Sequence, residues 1–362
     1  MVAHVVGARP NFVKAAPVLR ALAARGVAQR LIHTGQHYDP LLSGVFFDQL
    51  GLPQPDVDLG VGSGSHAVQT AALLTELERD LLATPPALVL VYGDVNSTLA
   101  AALVAAKLGL PLAHVEAGLR SFDRSMPEEV NRVVTDALAD LLFTTSPEAR
   151  ANLRREGVAG ARIHFVGNPM IDTLLANRDR FDGPAVRRML GLGGSYGVVT
   201  LHRPSNVDDT SAVRRVVAAL VAVGRTLPLV IPLHPRGRAA LETAGLAKAE
   251  GISIVPPLGY LEFVALVAGA RLVITDSGGI QEETTILRVP CLTVRPNTER
   301  PITISHGTNR LVEPEAVAAA AEAILRGDAV RPAGLPPRWD GHAGERIAAI
   351  VVRWLATAGQ SA

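Results

Sequence analysis

The stretch Val273–Arg300, VITDSGGIQEETTILRVPCLTVRPNTER, decides how the rest of the chain is read. Leu272–Thr275 is a short apolar run of the kind that forms a buried parallel strand. Asp276-Ser277-Gly278-Gly279 breaks it, and Ile280–Leu287 reads as the helix that follows. A strand that turns through Ser-Gly-Gly into a helix leaves backbone N–H groups free at the helix start, and two residues without Cβ let an anion come close to them. Ser277 suits the N-cap, and its hydroxyl could also reach a phosphate oxygen. Glu282 and Glu283 come one turn later, where like charge excludes phosphate but a carboxylate could accept from the two hydroxyls of a ribose. Downstream, Arg295 or Arg300 could neutralise a diphosphate with a bidentate fork. Two readings stay open. One is a nucleoside-diphosphate cradle; the other is an ordinary strand–turn–helix joint, whose capping serine and acidic residues suit the helix dipole.

Working outward, the 362 residues predict about two domains of ~150 residues each. Hydrophobic content is 48% and aromatic content 4%, so the core is aliphatic, as in parallel sheets covered by helices. Basic and acidic residues nearly cancel (35 against 34), which argues against a nucleic-acid or membrane surface. The one cysteine, Cys291, cannot form an internal disulfide and reads as a core residue. No apolar run approaches the ~20 residues that span a bilayer, and the first residues enter a strand pattern without a basic-then-apolar leader. A cytoplasmic protein is expected.

The chain alternates short apolar strands with helices in both halves, which implies doubly wound parallel sheets. Strands are expected at 3–6, 29–33, 88–91, 112–115 and 141–144, then at 197–201, 229–233, 252–255, 272–275 and 292–294. Two Rossmann-like domains facing a cleft are expected. The first covers 1–168, with a C-terminal helix near 343–358 packing back on it, and the second covers 169–342. In such sheets ligands sit beyond the C-terminal ends of the strands, and the polar residues cluster there.

Arg9 and Lys14 bracket the turn after the first strand and suit a phosphate or sugar. Asp94 and Glu116 each follow a strand. Neighbouring strands lie ~4.8 Å apart, so two such carboxylates can converge on one substrate and push each other's pKa apart, as acid/base work requires. For Asp94 a turn or N-cap role is the plainer alternative. Glu128, Arg132 and Asp136 fall at i,i+4 spacing and read as a surface salt-bridge ladder behind Pro127. His202-Arg203-Pro204 and His234-Pro235-Arg236 put basic pairs at two strand ends of the second half. His33 and His37 do not share a helical face, so no metal site is expected. Gly60–Gly64 lacks the spacing of a dinucleotide fingerprint and is rejected as a nicotinamide site.

Eight segments in order match a known family. They are Gly7-Ala8-Arg9-Pro10 with Lys14, Thr34–His37, Tyr92-Gly93-Asp94, His114–Arg120, Pro127–Arg132, Leu201-His202-Arg203, Thr275–Glu283 and Thr298–Pro301. Over nearly its whole length the chain resembles the non-hydrolysing UDP-N-acetylglucosamine 2-epimerases. The resemblance implies two Rossmann-like domains of glycosyltransferase-B type, a homodimer, and inversion at C2 of a UDP-linked 2-acetamido sugar with no external cofactor. The implied route removes the C2 proton and expels UDP to give a 2-acetamidoglucal; UDP then adds back and C2 is reprotonated on the other face. By position, the resemblance makes Asp94, Glu116 and Glu128 the acid/base carboxylates, with His202 joining the catalytic set. Arg9, Lys14, Gln36, His37 and Arg132 would shape the sugar and diphosphate site, and Ser277, Gly278, Gly279, Glu283 and Arg300, with His202, would hold UDP.

Two departures stand out. Members activated by a second UDP-N-acetylglucosamine carry Gln-His-Arg-Gln where this chain has Gln36-His37-Tyr38-Asp39, which argues against activation of that kind. Ser205 stands where a Glu is usual. The stretch Arg120–Pro127 also looks like relatives acting on UDP-2,3-diacetamido-glucuronate, in which case Arg124 could meet a C6 carboxylate. A glycosyltransferase or a silent UDP-sugar binding protein on the same fold are the rival readings.

Overall fold

The computed structural model describes residues 1–35, 47–233, 241, 243–328 and 334–358. The chain divides into two compact units, Met1–Ala176 together with the chain from Pro337, and Asn177–Pro336.

Among the described residues the first unit holds a seven-stranded parallel sheet in the order β3-β2-β1-β4-β5-β6-β7. These strands are β1 (Val2–Val6), β2 (Gln29–His33), β3 (Val57–Asp58), β4 (Leu88–Tyr92), β5 (Leu112–Ala117), β6 (Leu141–Thr144) and β7 (Ile163–Phe165). Every residue of β1, β4 and β5 is buried, because helices cover both faces of the sheet. Strand order reverses between β1 and β4, so the loops after these two strands diverge and open a crevice at their C-terminal ends.

The second unit repeats the plan with six parallel strands in the order β10-β9-β8-β11-β12-β13. They are β8 (Gly197–Thr200), β9 (Leu229–Pro232), β10 (Ile252–Val255), β11 (Leu272–Thr275), β12 (Cys291–Val294) and β13 (Asn309–Val312). Here the reversal lies between β8 and β11. The stretch from Leu272 onward therefore starts on a central strand, and its Ser-Gly-Gly turn emerges at the switch point. Cys291 is buried in the core of this unit.

The first unit runs on to Ala176, past the expected division at 168. Helix Pro169–Ala176 is tied there from two sides. Thr173 Oγ1 donates to the Val13 carbonyl at 2.7 Å, and Asp172 Oδ2 accepts from the Gly344 N–H at 2.7 Å. That second bond places a carboxylate against the start of the final helix, Ala343–Ala358, which packs on helix Arg9–Ala23. Just before it, Trp339 is fully buried and its Nε1–H donates to the Thr145 carbonyl at 2.9 Å. Trp339→Ala should cost the first unit about 3–5 kcal/mol, as cavity plus lost bond, and Trp339→Phe distinctly less. Urea unfolding followed by far-UV circular dichroism measures both.

Candidate functional site

Each unit gathers its buried polar groups at its own strand-order reversal. In the first unit the helix after β1 starts at Arg9, and Asn11 in its first turn fastens three pieces of backbone. Its Oδ1 accepts from Gly7 N–H and Ala8 N–H at 3.1 and 3.0 Å, and its Nδ2 donates to the Tyr92 carbonyl at 2.7 Å. One turn further on, Lys14 is buried and its Nζ lies 2.6 Å from Glu116 Oε1. Gly93 makes room for this pair, since a Cβ there would stand 3.0 Å from the Lys14 ammonium and 3.6 Å from Glu116 Oε1.

Glu116 was expected just beyond a strand, but it lies within β5, where pairing with β6 slips register between Val115 and Ala117. Its φ is +76°, a left-handed backbone conformation that costs a side-chain-bearing residue of order 1–3 kcal/mol. The slip re-aims the side chain off the sheet's alternation and onto Lys14.

Asp94 does not cap the next helix: that helix starts at Asn96 with Val95 in the cap position. The Asp94 carboxylate instead accepts from Arg132 Nη2 at 2.7 Å, and its backbone carbonyl from Asn131 Nδ2 at 2.8 Å. This overturns the surface-ladder reading of helix Pro127–Leu138. Arg132 is 2% exposed and forks between Asp94 and Glu129. Asp136 is buried too, bound to His114 and Arg120 rather than to Arg132. Helical spacing allowed the pairs, but tertiary partners claimed both charges. Glu129, given no role of its own by the sequence, accepts from Ser121 N–H and Phe122 N–H, both at 2.9 Å, and so holds the preceding loop to the Arg132 fork. Glu128 is half-buried in the first turn behind Pro127, and Arg9 is half-buried at its helix start. Gln36 and His37 lie outside the described residues, as does His234.

In the second unit helix Gly278–Leu287 begins one residue after Ser277. The expected serine cap is not made: no side-chain hydrogen bond closes the helix start, and Ser277 N–H donates to Thr275 Oγ1 at 3.0 Å. The N–H groups of Gly278 and Gly279, in the first turn, have no intrahelical carbonyl to bond. Gly278 also lets the Arg300 guanidinium lie across the turn, because a Cβ would stand 2.4 Å from its Nη1. Arg300 is buried, with Nε 2.9 Å from Glu282 Oε1 and Nη1 on Glu299. Arg295 pairs with Glu299 at 2.7 Å.

Glu283 is buried beside Glu282. Burial first, then the neighbouring carboxylate, push its carboxyl up to about 8, against a hydrogen bond from Tyr260 that lowers it. His202 stands at the end of β8 with its ring half exposed and Nδ1 2.9 Å from Asp276 Oδ1. Asp276, given no role by sequence reasoning, is fully buried and also accepts from His202 N–H, Arg203 N–H and Asn206 Nδ2. Burial would raise its carboxyl, but the His202, Asn206 and Arg203 hydrogen bonds, with the His202 charge, hold it below the usual range. The available signal was its position, an acid immediately after a central strand.

Among the described residues no group of three or more His, Cys, Asp or Glu is arranged to hold a metal ion, and no helix is long and apolar enough to cross a membrane.

A family model described as UDP-N-acetylglucosamine 2-epimerase matches residues 20–352. The UDP-N-acetylglucosamine 2-epimerase of Methanocaldococcus jannaschii is 40% identical over 359 residues, 96% of this chain and 97% of that protein. The UDP-2,3-diacetamido-2,3-dideoxy-D-glucuronate 2-epimerase of Pseudomonas aeruginosa is 43% identical over 314 residues, 85% of this chain and 87% of that one. A crystal structure of the Methanocaldococcus jannaschii UDP-GlcNAc 2-epimerase in complex with UDP-GlcNAc and UDP matches with a TM-score of 0.91 at 40% identity, covering 97% of this chain and 99% of the other. The α/β fold is thus shared with a solved UDP-GlcNAc 2-epimerase, and the chain belongs to the UDP-N-acetylglucosamine 2-epimerase family.

Proposed function

We propose that this protein interconverts UDP-N-acetylglucosamine and UDP-N-acetylmannosamine without hydrolysis. The observation that carries this reading is Glu116, a buried carboxylate held in a left-handed backbone conformation against a buried ammonium. Strain and a buried charge pair at a strand-order reversal mark a working group rather than a packing residue. The relative solved with UDP-GlcNAc and UDP supports the substrate class.

In the proposed reaction a first-unit carboxylate takes the C2 proton. The C1–O bond breaks, its electron pair leaves with UDP, and a C1=C2 double bond forms. UDP oxygen then re-forms the bond to C1, and a second carboxylic acid returns a proton to the opposite face of C2. Asp94, Glu116 and Glu128 supply the proton transfers, because a C2 proton is not acidic and needs a positioned base. Lys14 is paired with Glu116 and Arg132 with Asp94, so a cation stands beside each of these two carboxylates. Arg9, Lys14, Gln36, His37 and Arg132 shape the sugar and diphosphate site. In the second unit the N–H groups of Gly278 and Gly279 with Ser277 receive the diphosphate, Arg300 and His202 offset its charge, and Glu283 accepts from the ribose hydroxyls. The family resemblance supports a cytoplasmic homodimer that needs no external cofactor and serves cell-surface polysaccharide synthesis.

A second reading has its own support in the 43% identical diacetamido-glucuronate epimerase. Arg124 is exposed and lines a cavity with Arg120, Phe122 and Glu129, a guanidinium available to a C6 carboxylate. Incubation with each UDP-sugar separates the two, with the product identified by NMR. UDP-N-acetylmannosamine from UDP-N-acetylglucosamine is the expected outcome; turnover of the diacetamido-glucuronate alone selects the second reading.

In deuterated water the wild type should place deuterium at C2. Glu116→Gln and Asp94→Asn should each lower that exchange by about 10²–10⁴-fold while UDP affinity holds. Glu283→Ala should instead weaken UDP binding. Calorimetric titration with UDP beside mass-spectrometric exchange checks the division, and loss of UDP affinity in Asp94→Asn with exchange retained would refute it.

Glu283 also predicts a pH dependence. Its folded carboxyl is raised from 4.5 to about 8, so the folded unit keeps a proton that the unfolded chain has released. Stability should therefore fall as pH rises from 4.5 towards about 8 and level off above it. Glu283→Gln should flatten that decline, read from urea unfolding at about pH 5.5 and about pH 8.5.

A further inference from the structure

Two residues before Glu116 on β5, His114 is fully buried. Its Nδ1 lies 2.7 Å from Asp136 Oδ1, and its Nε2 lies 2.7 Å from the Gly93 carbonyl oxygen. A carbonyl oxygen only accepts. Asp136 is committed as an acceptor as well, since its Oδ2 takes the Gly118 N–H at 2.9 Å and lies 2.7 Å from Arg120 Nη1. Burial would raise the Asp136 carboxyl, but the charges and hydrogen bonds of His114 and Arg120 outweigh it and hold it below the usual range. A neutral imidazole offers one N–H and one lone pair. In either tautomer one of the two contacts would set lone pair against lone pair at hydrogen-bond distance. Both contacts are satisfied only if both ring nitrogens carry protons.

We propose that His114 is a permanent buried imidazolium which, with Asp136, forms the positioning pair that holds Glu116 in its working conformation. Asp136 binds the chain on both sides of the strained residue: through the His114 ring within β5 and through the N–H of Gly118, one residue past the strand's end. Register slip and left-handed φ fall inside this bracket. Asn152 Nδ2 adds a bond to the Gly118 carbonyl at 2.9 Å. The charged groups around the ring are Asp136, Arg120 with its partner Glu156, and, past Gly93, Lys14 and Glu116. The imidazolium fixes the Gly93 carbonyl, which keeps the turn open for the Lys14–Glu116 pair. A buried ion pair of this kind is tolerable only with its remaining donors and acceptors filled, and here they are filled.

The protonation of His114 stands independently of the reaction; its service to Glu116 rests on the epimerase reading above. With ¹⁵N-labelled histidine, long-range ¹H–¹⁵N correlation should show both His114 nitrogens protonated from about pH 6 to about pH 9. In Asp136→Asn one nitrogen should lose its proton within that range. C2 exchange should fall about 10–100-fold in kcat with KM little changed, and the pH–rate profile should gain a new alkaline decline. A wild-type spectrum with one bare His114 nitrogen at neutral pH overturns the proposal, even if Asp136→Asn fails to fold. An Asp136→Asn enzyme with wild-type kcat and pH profile overturns the positioning role. A wild type without any C2 exchange refutes the epimerase reading and leaves the spectrum to decide the imidazolium.

Discussion

The ion pair between Lys14 and Glu116 organises the first unit, because two charges taken out of water hold only where the surrounding backbone is built for them. Both side chains are almost wholly buried, and their separation is 2.6 Å. Removing either partner would strand the other, at about 3–5 kcal/mol. Several local features answer to this demand. Asn11 pins the first turn of the helix that delivers Lys14 to the end of β4. Gly93 leaves space beside the ammonium. The register slip in β5 turns Glu116 to face it. A helix start, a turn and a strand irregularity thus serve one contact; the first two lie where strand order reverses, the place in this fold where backbone ends diverge and leave room, and the third lies on the strand next to it.

The second unit meets the same problem with more charges and a different answer. Arg300 is shared between Glu282 and Glu299, while Arg295 also binds Glu299. Asp276 gathers the N–H groups of His202 and Arg203 and the Asn206 amide into one buried carboxylate. That assembly fixes the loop after β8 to the loop after β11, and the half-exposed ring of His202 adds a contact of 2.9 Å to the same carboxylate. Its neighbour, the helix start at Gly278, is left without a side-chain cap. An uncapped start beside a buried guanidinium is costly for an isolated domain and useful to one that receives an anion.

How far the sequence foretold this depends on the kind of signal. Central strands such as Leu88–Tyr92 and Leu272–Thr275 are continuous aliphatic runs, and their type and place were legible. Three edge or near-edge strands were not. Val57–Asp58 is two residues long, Ile163–Phe165 three, and Asn309–Val312 begins with two polar residues, so none carries a pattern of its own. Site residues divide in the same way. Asp94 and Glu116 stood out by following strands. Arg132 was named only through the family resemblance, because i,i+4 spacing within one helix says nothing of a carboxylate 38 positions away in the chain. Glu129 and Asp136 were hidden by the same helical pattern, and only the folded sheet shows that their face looks inward. Asp172 and Trp339 tie segments far apart in sequence, which no local pattern reveals.

The charges that the fold leaves strained are those with work assigned to them, and this asymmetry is itself an argument. Asp276 and Asp136 are buried carboxylates whose bonds and partners hold them ionised, as structural anions should be. Glu283 is buried beside another carboxylate and its carboxyl is driven the opposite way. Glu116 keeps a left-handed backbone that a glycine would adopt at less cost. A chain selected for stability alone would relieve both, the first with a neutral side chain and the second with glycine. Both retain a carboxylate where one is expensive. On the proposed assignment each cost has a use: Glu283 is offered hydroxyl donors by a ribose, and Glu116 must present a base that no regular strand geometry would aim at Lys14 and the sugar beside it.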